Sequence, residues 1–211
     1  MLSEALSTKT NLKNEAALSL KEDRWLKEIN ANQQSNITSN PPHKARWEIR
    51  LEEQEFIKWR SALEDWCLFF DGASKGNPGP AGGGGIILDP SGTPCVSYAW
   101  GLGHASNNQA EYLALWQGLN QARKRNIQKL SIFGDSRLIV KALHTKKMTS
   151  DIGLAHTHRK VTLLLKHFRN PKAYHILRSL NTLADAEANR GTTLSKGQII
   201  VNGETSNHPL P

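Results

Sequence analysis

Only eight acids lie beyond residue 66 of this chain, against 17 lysines and arginines. Two of them, Asp71 and Asp135, close the short apolar runs WCLFFDG and KLSIFGD. Runs of that kind read as strands, and open sheets place ligands at strand ends. Glu111 falls in the first turns of a segment whose apolar residues recur at helical spacing, and Asp185 lies between Ala184 and Ala186 in a last short helix. Strand ends and helix starts from one side of a sheet bring four such groups together. Clustered carboxylates repel and raise one another's pKa, and a divalent cation resolves that repulsion. Oxygen ligands suit Mg²⁺, with Mn²⁺ as the alternative, rather than zinc. Two such ions activate a water and stabilise the leaving oxygen of a phosphodiester. Singly, each acid reads as a helix cap or a salt-bridge partner; four of eight in a basic region favour a metal site.

The elements that must position these acids occupy part of a 211-residue chain. With 38% hydrophobic and 22% charged residues it has the composition of a soluble globular protein. It has no apolar run of roughly 18 residues and no basic start followed by an apolar block, so neither a membrane span nor a secretory signal is expected. Cys67 and Cys95 are too few for a disulfide framework or a cysteine-only zinc site and are expected to be reduced and buried. These features point to an intracellular protein of cytoplasm or nucleus, an organelle remaining open. Residues 1–66 carry 10 Lys/Arg and 11 Asp/Glu, a net of −1, while residues 67–211 carry a net of +9. A basic domain of this kind suggests a polyanion, most often nucleic acid, although basic domains without such a partner exist.

The sequence predicts a weak helix over residues 14–29, a polar linker ending at Pro41 and Pro42, and an amphipathic helix over 44–65. That helix is expected to pack on the domain behind it; the alternative is a helix that binds a protein partner. WCLFFDG is a strand, GNPGPAGGGG a turn, and GIILD and CVSYAWG two further strands. A helix over 108–125, the strand KLSIFGD, helices over 136–143 and 152–168, the strand AYHILR and a helix over 181–189 follow, with a disordered tail from residue 191. The result is an α/β fold, a five-stranded mixed sheet with helices on both faces behind a partly helical N-terminal arm.

Four segments, FDGASKGNPGPAG, NNQAEYLALWQGL, IFGDSRLIVKAL and HILRSLNTLADAEAN, resemble in order and spacing the motif blocks of type 1 ribonuclease H. The domains they look most like are those of plant retroelements and their reverse-transcriptase-like relatives. The resemblance covers about residues 66–190. It implies a ribonuclease H-like fold, two Mg²⁺ ions on Asp71, Glu111, Asp135 and Asp185, and hydrolysis of the RNA strand of an RNA–DNA hybrid to leave a 5′-phosphate and a 3′-hydroxyl. It also implies hybrid contacts at Gly72, Asn77, Asn107, Asn108, Gln109 and Asn181. The plainer reading of Asn107 and Asn108 is a helix N-cap, and both roles are compatible if one caps and the other contacts substrate. The auxiliary catalytic residue is Arg178 or His175, with Arg178 favoured. The basic helix and loop of many bacterial type 1 enzymes is missing, and Lys141, Lys146, Lys147, Arg159 and Lys160 could partly replace its charge or simply form a solvated face. No Tyr-x-Asp-Asp signature is present, so the chain is not a reverse transcriptase. The alternative class is an inactive hybrid-binding or partner-binding module. Residues 66–190 hold every motif block and are expected to fold and act alone.

Overall fold

A computed structural model describes residues 47–145 and 152–211. The expected helix over 14–29, the start of the one expected over 44–65, and Lys146 and Lys147 lie outside the described residues. The elements are α1 (Glu53–Ser61), β1 (Trp66–Ser74), β2 (Gly79–Leu88), β3 (Pro94–Ala105), α2 (Asn107–Lys124), β4 (Leu130–Gly134), α3 (Arg137–Thr145), α4 (Ile152–Leu165), β5 (Lys172–His175), a 3₁₀ turn (Arg178–Leu180), α5 (Thr182–Gly191), β6 (Gln198–Val201) and β7 (Glu204–Asn207). The strands form one mixed sheet in the order β5-β4-β1-β2-β3-β6-β7. β1 is parallel to β4 and β4 to β5, and the other neighbours are antiparallel.

The fold class is the expected one, with seven strands in place of five. The two extra strands correct the expectation of a disordered tail. β6 adds to β3, with Ala99 opposite Ile200, and folds back through Asn202 and Gly203 to β7. Both turn residues have positive φ, 51° and 87°, as a two-residue hairpin turn matched to strand twist requires. Beyond β7 the chain lies over the indoles of Trp100 and Trp116: Trp100 Nε1 donates to the His208 carbonyl at 3.1 Å, and the His208 ring packs against both.

The glycine run is also strand rather than turn. Side chains at Gly82 and Gly84 would collide with the backbone of α5, and one at Gly83 would press on Ala114 of α2. Glycine at successive strand positions lets a helix approach the sheet on each face. One face carries α2, backed by α4, over Leu68, Phe70, Ile87, Tyr98 and Ile132. On the other face α5 covers β1, β2 and β3.

The β1-β4-β5 part of that second face is covered by α1. Phe69 and Phe133 stack at 4.8 Å, Phe133 and Tyr174 at 5.4 Å, and Phe56 of α1 meets Phe133 edge-on at 5.6 Å. Trp59 closes the cluster 5.0 Å from Tyr174, and Ile49, Phe56 and Ile57 are buried. The helix is shorter than expected because residues 47–49 run extended along the β5 edge. There the Ile49 N–H donates to the His175 carbonyl at 2.8 Å and the His175 N–H to the Trp47 carbonyl at 2.7 Å. That edge would otherwise present unpaired backbone groups. The structural domain is therefore wider than residues 66–190, and among the described residues 47–65 pack on it. Both cysteines are free, but only Cys67 is buried; Cys95 is exposed.

Candidate active site

The register of the parallel strands brings the first two acids together. Phe69 of β1 lies opposite Phe133 of β4, so Asp71 and Asp135, each two residues further on, emerge side by side. Gly72 admits the third. A side chain there would run into the backbone of Glu111, so the missing Cβ lets α2 lay Glu111 against β1. The carboxylates of Asp71, Glu111 and Asp135 each offer an oxygen within 4.8 Å of the others. Asp185, in the first turn of α5, lies close enough that its charge also raises the Asp71 carboxyl.

Asp71 is 5% exposed and Glu111 8% exposed. Burial first, then the Asp135 charge, pushes the Asp71 carboxyl up to about 7, against the opposing hydrogen bond from the Gly72 N–H to Asp71 Oδ1 at 2.8 Å. Burial and then the Asp71 charge push Glu111 well above the usual carboxylate range. Glu111 Oε2 is buried without a hydrogen-bond partner. An orphaned buried oxygen among like charges is what a divalent cation would satisfy, and the donors are all oxygens, so the residues fit Mg²⁺ or Mn²⁺.

The raised Asp71 pKa has a definite sign for stability. A carboxyl with a higher pKa folded than unfolded stabilises the fold most below its unfolded value of about 4, and that contribution is lost as pH rises through about 7. Thermal melts in EDTA should therefore show Tm falling from pH 5 to pH 8, and Mg²⁺ should restore much of the loss at pH 8 and little at pH 5. An equal response at both pH values would contradict the repulsion at the cluster.

The other sequence-predicted residues divide. Arg178 begins the 3₁₀ turn, not a strand interior, and its Nη2 donates to Asp185 Oδ1 at 2.7 Å with the guanidinium exposed. His175 ends β5, and its Nε2 lies 3.1 Å from the carbonyl oxygen of Asp135, so it braces that backbone rather than joining the carboxylates. Asn107 and Asn108 are exposed at the start of α2, but neither is its N-cap. Ser106 is: its hydroxyl accepts from the Gln109 N–H at 3.3 Å, and Gln109 Oε1 accepts from the Ser106 N–H at 2.9 Å. This capping box, legible as Ser106-x-x-Gln109, was the missed signal. It occupies Gln109 Oε1. Asn77 Oδ1 accepts from the Asn107 N–H at 3.0 Å and ties the β1–β2 turn to α2. Asn181 is 1% exposed, which removes it from the substrate surface. Asn189 was not anticipated: one turn beyond Asp185, its Nδ2 donates to Asp185 Oδ2 at 3.0 Å.

The sequence of residues 69–191, more than half of the chain, matches the family described as reverse transcriptase-like. A ribonuclease HI of Halobacterium salinarum is 37% identical over 121 residues, 57% of this chain and 61% of the relative. A putative ribonuclease H protein of Arabidopsis thaliana is 32% identical over 151 residues, 68% of this chain and 23% of the relative. The chain thus spans less than two thirds of these relatives. The crystal structure of ribonuclease H1 from the halobacterium superposes with a TM-score of 0.59 at 35% identity, covering 61% of this chain and 98% of that one. That of LC11 ribonuclease H1 in complex with RNA/DNA hybrid gives 0.58 at 27%, covering 61% and 97%. Among the described residues no helix is long and apolar enough to cross a membrane.

Proposed function

The chain belongs to the reverse transcriptase-like family of type 1 ribonuclease H domains, and from that premise we propose that it is a metal-dependent endoribonuclease cutting the RNA strand of RNA–DNA hybrids. The observation that carries the reading is the carboxylate cluster where β1 runs on past the end of β4, Asp71 and Glu111 buried and Asp135 half-buried, with Glu111 laid against β1 through Gly72. A cluster this buried and this like-charged is costly without cations. Asp71, Glu111, Asp135 and Asp185 would hold two Mg²⁺ ions. Bound there, the ions supply an activated water and charge opposite the leaving oxygen.

The chain's own groups fix the rest. The Gly72 N–H orients Asp71, and Asn189 orients Asp185. Asn77, Asn107 and Asn108, all exposed at one rim, present amides to the minor groove, where 2′-hydroxyls distinguish RNA from DNA. The exposed Arg178 guanidinium stands beside Asp185 and steadies the phosphate or the leaving group without titrating near neutrality. His175, held at the Asp135 carbonyl, is a bracing residue.

Single-turnover cleavage should therefore fall about tenfold or more in Arg178→Ala, about 1.4 kcal/mol of barrier, and much less in His175→Ala. The reverse order, with a histidine ionisation in the wild-type pH–rate profile that vanishes in His175→Ala, would give proton transfer to His175 instead. Competition among labelled hybrid, duplex RNA and duplex DNA tests the substrate class: only the hybrid should be cut. Binding of the hybrid without cleavage would make the chain a recognition module.

A further inference from the structure

Asn181 occupies the N-cap position of α5, where an asparagine ordinarily turns its side chain onto the free N–H groups of the helix. Here the side chain makes no cap hydrogen bond. It points into the protein, 1% exposed, and its Nδ2 donates to two acceptors: Asp135 Oδ1 at 3.0 Å and the carbonyl oxygen of Phe70 at 3.0 Å. Both partners only accept, so the amide orientation is fixed by chemistry. Phe70 precedes Asp71 in β1. One buried NH₂ group thus joins the carboxylate of Asp135 to the backbone that carries Asp71. The arrangement has a local cost: Asn181 Oδ1 is buried without a partner, which is unfavourable, and the α5 N-terminus forgoes its side-chain cap. A residue placed only for stability would cap the helix.

We propose that Asn181 is a positioning residue that sets the orientation and spacing of the Asp135 and Asp71 carboxylates for divalent-cation binding, and that it does not touch the hybrid. The inference rests on the reading of these acids as metal ligands. Without Asn181, Asp135 loses the donor that holds one oxygen, and its carboxylate is free to rotate away from Asp71, whose charge repels it. Hydrogen bonds to ligating carboxylates from residues behind them are worth roughly 10–100-fold in metal affinity.

The test is calorimetric titration of the 211-residue chain with Mn²⁺, alongside thermal melts and the Mg²⁺ dependence of cleavage. Asn181→Ala is expected to weaken Mn²⁺ binding about 10–100-fold. The half-saturating Mg²⁺ concentration should rise by a similar factor, while kcat at saturating Mg²⁺ and the KM for hybrid change little. Asn181→Ser, too short to bridge both acceptors, should behave alike and serves if the alanine variant does not fold. A variant isotherm that superimposes on the wild-type one, or a raised KM for hybrid at unchanged metal affinity, would overturn the proposal. So would the failure of both variants to fold, which would make Asn181 a residue of core stability. Wild-type protein that binds no Mn²⁺ would overturn the reading of the site along with it, whereas equal binding in wild type and variant overturns only the role of Asn181.

Discussion

Asp71→Asn is expected to abolish cleavage, by at least about a thousandfold or roughly 4 kcal/mol of barrier, while leaving a folded and more stable metal-free protein. Asp71 is the carboxylate with both Asp135 and Asp185 bearing on it, and it is 5% exposed. Asparagine keeps the shape and can still accept from the Gly72 N–H. It removes the anion that would serve the ions and the like charge that its neighbours resist. In EDTA at pH 8 the variant should therefore melt above wild type, by about 2–4 °C for each kcal/mol of repulsion relieved. At pH 5, where the wild-type carboxyl is largely protonated, the difference should shrink. A variant that melts below wild type at both pH values would show that Asp71 is held by favourable contacts and not against repulsion. A variant that cleaves normally in Mg²⁺ would remove Asp71 from the site.

The second large effect is structural. Residues 66–190 expressed alone should fail to fold, whereas residues 41–211, the span of one compact unit, should fold and retain activity. The shorter piece loses Ile49, Phe56 and Ile57, all buried, and uncovers Phe69, Phe133 and Tyr174. Burying one such side chain contributes about 1.5–3 kcal/mol, so three of them approach the 5–15 kcal/mol by which whole domains are stable. It also loses the hairpin that covers the β3 edge and the chain over Trp100. Circular dichroism and melting of the two pieces decide the matter. A soluble 66–190 piece with a cooperative transition would show that α1 and the hairpin are accessory. Within the longer piece, Phe56→Ala alone should cost about 3–5 kcal/mol.

Asp71, Glu111 and Asp135, which the fold brings together, were legible as candidates through residue type and, for Asp71 and Asp135, through position at the end of an apolar run. Asp135 follows β4, whereas Asp71 lies inside β1, which continues to Ser74 on its pairing with β2; the sequence does not print their parallel register, yet two apolar runs that each end in an acid leave few other arrangements. The tetraglycine was misread because glycine favours turns locally, and only the helices on both sides of β2 make strand the better state for Gly82, Gly83 and Gly84. The tail hairpin was legible and missed: Asn202-Gly203 between QIIV and ETSN is a strong hairpin signal, masked by the polar composition around it. Covering of the β1-β4-β5 face by α1 depends on contacts between distant segments. The apolar face of residues 44–65 announces that something is covered without saying what. Asn181 shows the limit most clearly. Sequence marks it as the residue before a helix, which implies a cap, and the choice between capping and reaching Asp135 is made by the tertiary fold.

The most direct measurement is single-turnover cleavage of a uniform RNA–DNA hybrid labelled on either strand, with and without Mg²⁺, and with the product ends mapped. The carboxylate cluster as a two-cation site predicts cuts in the RNA strand alone, dependent on Mg²⁺, leaving 5′-phosphate and 3′-hydroxyl ends and absent in Asp71→Asn. Cutting that persists in EDTA, falls on the DNA strand, or survives in Asp71→Asn would contradict it.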